Sequence, residues 1–169
     1  MVNHGFSTAA LFLVVGYLIA RRGRADVDAF GGVQKVAPMT AGFLLFAALS
    51  ALALPGMGSF IGEFLVMAGA WQRYPIMTAV IALGIVLAAV YALTLYQRTM
   101  TGPVTEQTQE HITSDLGLRE KVAIVPLMVL LLWLGLWPAP LLQVADEAAS
   151  SAMTAAGSAD PAPMIEEGN

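Results

Sequence analysis

The chain contains no cysteine. That absence excludes disulfides, thiolate-held iron–sulfur clusters and a cysteine nucleophile from these 169 residues. Charge is scarce as well: Asp, Glu, Lys and Arg together make up 12%, against about 25% in soluble domains. With 57% hydrophobic residues and a mean hydropathy of +0.72, the polar surface is too small to cover a water-soluble globule, and the class is membrane protein. Basic residues are fewest, eight Lys and Arg against twelve Asp and Glu. A phosphate-binding surface needs clustered Lys and Arg, so no nucleic-acid partner is expected. Only two histidines are present, too few and too far apart for a metal site. The first apolar run ends in Arg21-Arg22, the reverse of a cleavable signal peptide, whose basic region comes first.

Four apolar segments fill the rest: Phe6–Ala20, Val36–Trp71, Pro75–Tyr96 and Val122–Trp137. A spanning helix needs roughly 20 mainly apolar residues. The third segment fits, the fourth borrows flanking residues, and the first is marginal if Met1 is its start. The second is different. As one helix it would be roughly 54 Å long, beyond a hydrocarbon core of about 30 Å. Pro55 removes a backbone donor, and Gly56 and Gly58 let the chain leave helical geometry at little steric cost. The expectation is a discontinuous helix, Pro38–Ala53 and Phe60–Trp71, broken at Pro55–Ser59. The fold class is therefore all-α integral membrane with four transmembrane helices, the second broken. Residues 1–142 form the transmembrane region, and 143–169 an acidic, Ala-rich tail with at most a short interfacial helix before disorder.

Arg and Lys concentrate in loops 21–35 and 97–121. The positive-inside rule puts both loops in the cytoplasm and both termini outside. Trp71, Tyr74, Trp133 and Trp137 then lie at the outer interface, as lipid anchors. Ser114 or Asp115 is expected to cap the fourth helix.

Glu63 is the one charged residue between Lys35 and Arg73. An intramembrane carboxylate is costly, faces a bundle interior or a wet cavity, and marks an ion or proton path. Ser59, Gly62, Val66, Gly69 and Ala70 sit near its face and are small enough for another helix to approach. A carboxylate held partly dry is easier to protonate, because desolvation penalises its charged form. The alternative is a Glu that only satisfies the broken backbone. His4, beside Asn3, could relay protons, or could be a solvated residue of the first turn. His111, near Glu110 and Asp115, reads as solvated. The stretch GMGSFIG imitates a dinucleotide fingerprint but fails it, with the third glycine at 62 rather than 61 and an apolar helix before it instead of a strand.

The stretches VNHGFSTAALFLVVG, FGGV, LPGMGSFIGEF and AAVYALTLYQRTMTGP resemble the M subunit of bacterial NADH–quinone oxidoreductase, respiratory complex I, within the antiporter-like membrane subunits. The likeness runs to about residue 142, and a glutamate in GEF, where relatives tend to carry lysine, favours that subunit. The resemblance implies the last four helices of a longer subunit, with Glu63 as a terminal proton-transfer residue, His4 on its hydrophilic axis, and Pro55, Gly56, Gly58 and Gly62 shaping the break. It also implies other membrane subunits of the complex and the lipid bilayer of the bacterial inner membrane as partners, with no cofactor on this chain and no direct NADH contact. The family protein is about three times longer and includes a first repeat and a central lysine with no counterpart here, so the chain reads as a C-terminal piece. Rival readings are a Mrp-type cation/proton antiporter or membrane-bound hydrogenase subunit, a structural membrane subunit without transport, and a non-functional remnant.

Overall fold

The computed structural model describes residues 2–157. The tail expected from 143 on is helical as far as Ala155, in a 17-residue helix rather than a short one. The rest of the expected disorder falls on 158–169, outside the described residues. All regular structure among the described residues is helical: α1 (Val2–Arg22), a 3-10 turn (Val27–Ala29), α2 (Val33–Val36), α3 (Pro38–Ala51), α4 (Gly58–Arg73), α5 (Pro75–Met100), α6 (Glu106–His111), α7 (Leu118–Leu136) and α8 (Ala139–Ala155). Among the described residues two helices, α1 and α5, are long and apolar enough to cross a membrane. A third span results if α7 and α8, bent by 71°, count as one.

The core lies between α1, α3 and α7. It is built from Ala10, Val14 and Leu18, from Ala41, Leu44 and Ala47, and from Ile124, Met128 and Leu131. Each set recurs at three- or four-residue steps, the spacing that puts side chains on one helix face. Alanine at three of these nine places lets the backbones come close. In contrast, α5 turns most of its side chains outward, including Ile76, Ile81, Leu87 and Val90, as a helix facing lipid or another subunit does.

Loops 21–35 and 97–121 meet at one end of the bundle, as their charges predict. Arg98 pairs with Asp28, and Gly32 N–H donates to the Thr101 carbonyl at 2.9 Å. Gly32, at φ 64°, lies so close to the other loop that a Cβ would come within 2.7 Å of Pro103 and Val104 backbone atoms. Arg21 reaches Glu120 with both terminal nitrogens, at 2.8 and 2.6 Å. Arg22 is buried (6% exposed), with its guanidinium on the Ala29 carbonyl and Gln107.

Asp115 does not cap the fourth apolar segment. That helix, α7, starts after Gly117, whose N–H donates to Glu120 at 2.7 Å. Asp115 caps α3 instead, accepting from Met39 N–H (2.7 Å), Thr40 N–H (3.0 Å) and the Thr40 hydroxyl (2.7 Å). The N-cap position of α3 is Ala37, which has no side-chain acceptor, so the free N–H groups of its first turn take one from another part of the chain. Burial acts to raise the Asp115 carboxyl. The Thr40 hydroxyl and the N–H groups of Met39, Leu116 and Thr40 outweigh it and hold the group below its ordinary range.

Candidate functional site

The break in the second apolar segment comes earlier than the Pro55–Ser59 expected. Helix α3 ends at Ala51 and α4 resumes at Gly58. Proline disfavours helical geometry at the residue before it, so the helix must stop upstream of Leu54. It does so in a Schellman arrangement: Ala53 N–H donates to the Ser50 carbonyl (3.2 Å) and Leu54 N–H to the Leu49 carbonyl (3.2 Å). Ala53 occupies the left-handed position, φ 51°. A turn follows, closed by Met57 N–H on the Leu54 carbonyl at 2.9 Å. Pro55 is its second residue and Gly56, at φ 95°, its third, the residue pattern of a type II turn. Ser59 already belongs to α4.

Two contacts hold this corner. On one side, the Asn3 side-chain amide donates to the Gly58 carbonyl at 2.6 Å. On the other, Gly135 of α7 lies against Gly56 and Met57 so closely that a Cβ would overlap their backbone atoms. Gly58 is buried and is the one buried residue of α4.

Beside the corner is a cleft of about 590 Å³. Its walls come from the start of α1 (Asn3, His4), the start of α4 (Ser59, Gly62, Glu63) and the inner side of α8. The structure thus brings Glu63 and His4, 59 positions apart in sequence, to the same cleft. Glu63 is exposed there, with no hydrogen-bond or ion-pair partner among the described residues. The expected packing of small residues around it is not found among the described residues. A Cβ at Gly62 or Gly69 would meet nothing within 4 Å. Gly62 therefore lies within α4 on the cleft wall, and the close approaches fall at Gly58 and Gly135 instead. His4 is also exposed, with its ring 3.5 Å from the Thr8 hydroxyl. His111, at the far end, is exposed too.

Three buried polar atoms, Asn3 Oδ1, Ser50 Oγ and Ser59 Oγ, have no partner among the described residues. Asn3 and Ser59 line the cleft. Among the described residues, no group of three or more His, Cys, Asp or Glu is arranged to hold a metal ion. Sequence reasoning passed over Asn3 and Gly135. The motif gave attention to its histidine, and a glycine near the end of an apolar helix does not announce its partner.

A family model described as NADH:quinone oxidoreductase/Mrp antiporter, TM, matches residues 1–90, more than half of the chain. NADH-quinone oxidoreductase subunit M of Mycobacterium tuberculosis is 48% identical over 165 residues, covering 98% of this chain and 30% of that protein. Subunit M of Rickettsia felis is 40% identical over 144 residues, 85% of this chain and 29% of that protein. NADH-ubiquinone oxidoreductase chain 4 of Arabidopsis thaliana is 38% identical over 138 residues, 82% and 28%. The chain spans about 30% of the length of these relatives. Its apolar helices agree with these matches: this is a multi-pass membrane protein that belongs to the NADH:quinone oxidoreductase/Mrp antiporter transmembrane family.

Proposed function

We propose that the chain is part of a proton-translocating subunit in the membrane arm of an NADH–quinone oxidoreductase, where it converts electron transfer on other subunits into proton movement. The observation that carries this reading is the shared cleft. In a chain with 12% charged residues, a carboxylate and an imidazole, Glu63 and His4, line one cavity beside a helix break. Intramembrane carboxylates and imidazoles mark proton relays, and a broken helix at membrane depth is tolerated where it lines a cavity. Glu63 loads and releases the proton, and His4 relays it. Pro55, Gly56 and Gly58 keep the corner open to the cleft, and Gly62 leaves Glu63 uncrowded.

In the bilayer, α1, α3 with α4, α5, and α7 make four crossings. The end that gathers Arg21, Arg22, Arg24, Lys35, Arg98, Arg119 and Lys121 faces the cytoplasm of a bacterial cell, and both termini lie outside. Residues 1–142 are the transmembrane part and 143–169 the tail. The partners are other membrane subunits and lipid. The chain holds no cofactor and does not touch NADH. Helix α4, in which Gly58 alone is buried, is where neighbouring protein would enclose Glu63. The matched relatives named above are NADH-quinone and NADH-ubiquinone oxidoreductase components, which supports this reading over a Mrp-type antiporter.

The test is Glu63→Gln in the assembled membrane complex. Protons moved per NADH oxidised, read from acidification of inverted vesicles, fall several-fold while the complex still assembles. Unchanged pumping in a complex that contains the variant overturns the reading.

A further inference from the structure

We propose that Asn3 is a positioning residue. By binding the Gly58 carbonyl it fixes the first turn of α4 against α1, and so holds Glu63 on the cleft wall that His4 also lines. The inference rests on the reading of Glu63 and His4 given above.

Three observations carry it. The first is the bond itself, 2.6 Å from Asn3 Nδ2 to the Gly58 carbonyl across 55 positions of sequence. Gly58 opens α4, and Glu63 follows about one and a half turns later. His4 is the next residue after Asn3 on α1. One amide therefore ties together the two backbones that carry the two titratable groups.

The second is steric. A Cβ at position 58 would come within 2.9 Å of the Asn3 side chain. The amide and the glycine are fitted to each other, and the bond has no slack through which α4 could slide.

The third concerns the other half of the amide. Asn3 Oδ1 is buried without a partner among the described residues, and so is Ser59 Oγ of α4, which lines the same cleft. A buried acceptor left unpaired is costly, and an apolar side chain of the same shape would avoid that cost. Packing alone therefore does not account for an asparagine here. Its N–H is needed for the helix corner. Its oxygen, with the Ser59 hydroxyl, adds hydrogen-bonding capacity to the wall of the cleft. Proton transfer depends on distance and alignment at the ångström scale, so loosening this tie weakens transfer without removing either titratable group.

The experiment uses the full-length subunit in the assembled complex, with pumping scored per NADH oxidised. Asn3→Ala lowers it roughly two- to ten-fold, the size of one lost hydrogen bond. The double variant Asn3→Ala/Gly58→Ala refills the vacated space with a methyl group and stays low. In a Glu63→Gln background Asn3→Ala adds no further loss, because it acts through Glu63. The carboxyl infrared band of Glu63, identified by its loss in Glu63→Gln, shifts in Asn3→Ala. If Asn3→Ala does not assemble, Asn3→Asp keeps the shape, loses the N–H and takes its place. Full pumping in Asn3→Ala beside impaired Glu63→Gln overturns the role of Asn3 and leaves that of Glu63 standing. Recovery in the double variant overturns it as well, by reducing Asn3 to packing. Full pumping in Glu63→Gln removes both.

Discussion

At the scale of single residues, the corner before α4 depends on places where a side chain cannot fit. Gly135 is the sharpest case, since a Cβ there would overlap the Gly56 and Met57 backbone. Backbone on both sides leaves no rotamer to absorb the strain. Gly135→Ala is expected to cost at least the 1–3 kcal/mol typical of overpacking. The check is the thermal midpoint of the detergent-solubilised complex, with Gly84→Ala as control, because a Cβ at Gly84 would meet nothing within 4 Å. The turn residues were legible: Pro55 and Gly56 read as a break from chemistry alone and form one. Gly135 was not legible, because the need for glycine arises from a chain segment nearly 80 positions away. Glu63 was legible as the odd charge in an apolar run. Its exposure was not, since a lone carboxylate in an apolar run reads as facing a bundle interior or a wet cavity.

At the scale of elements, hydropathy found the long helices, while the short ones and the caps escaped it. Capping rules look a few residues ahead, so they assigned Asp115 to the helix that follows it. The structure uses it for α3, some 75 positions earlier. Removing that cap in Asp115→Ala is expected to cost roughly 0.5–2 kcal/mol. The pH dependence has a definite sign. The carboxyl is held below its ordinary value of 3.8, so its stabilisation is complete above that value and is lost only as pH falls through the lower folded one. The gap in thermal midpoint between wild type and Asp115→Ala should therefore stay flat from about pH 8 to pH 5. A gap that already narrows between pH 7 and pH 5 contradicts the role given to this carboxylate.

At the scale of the whole molecule, the chain is closed at one end and open at the other. Arg21, Arg22, Asp28, Gln107 and Glu120 join the loops at one end through paired or hydrogen-bonded charge. At the other, the cleft lies between helices that touch less. Sequence charge alone indicated that the two basic loops share a side, and their contacts agree. It did not indicate that Arg22 would be buried, because a basic residue at a helix end reads as solvated or headgroup-facing until its partners are known. Orientation gives the last prediction. Ser114→Cys, at an exposed position of the basic end, should react with a membrane-impermeant maleimide in inverted vesicles and stay protected in intact spheroplasts. The opposite pattern reverses the topology.

The stop at Ala53 has a mechanical meaning. A left-handed backbone is uncomfortable for alanine, by about 1–2 kcal/mol, yet alanine has far fewer other conformations to escape to than glycine would. With Asn3 and α7 gripping the turn from opposite sides, the kink is stiff, a bracket rather than a hinge. On the proposed function, the two halves of the broken helix stand still while the proton passes them.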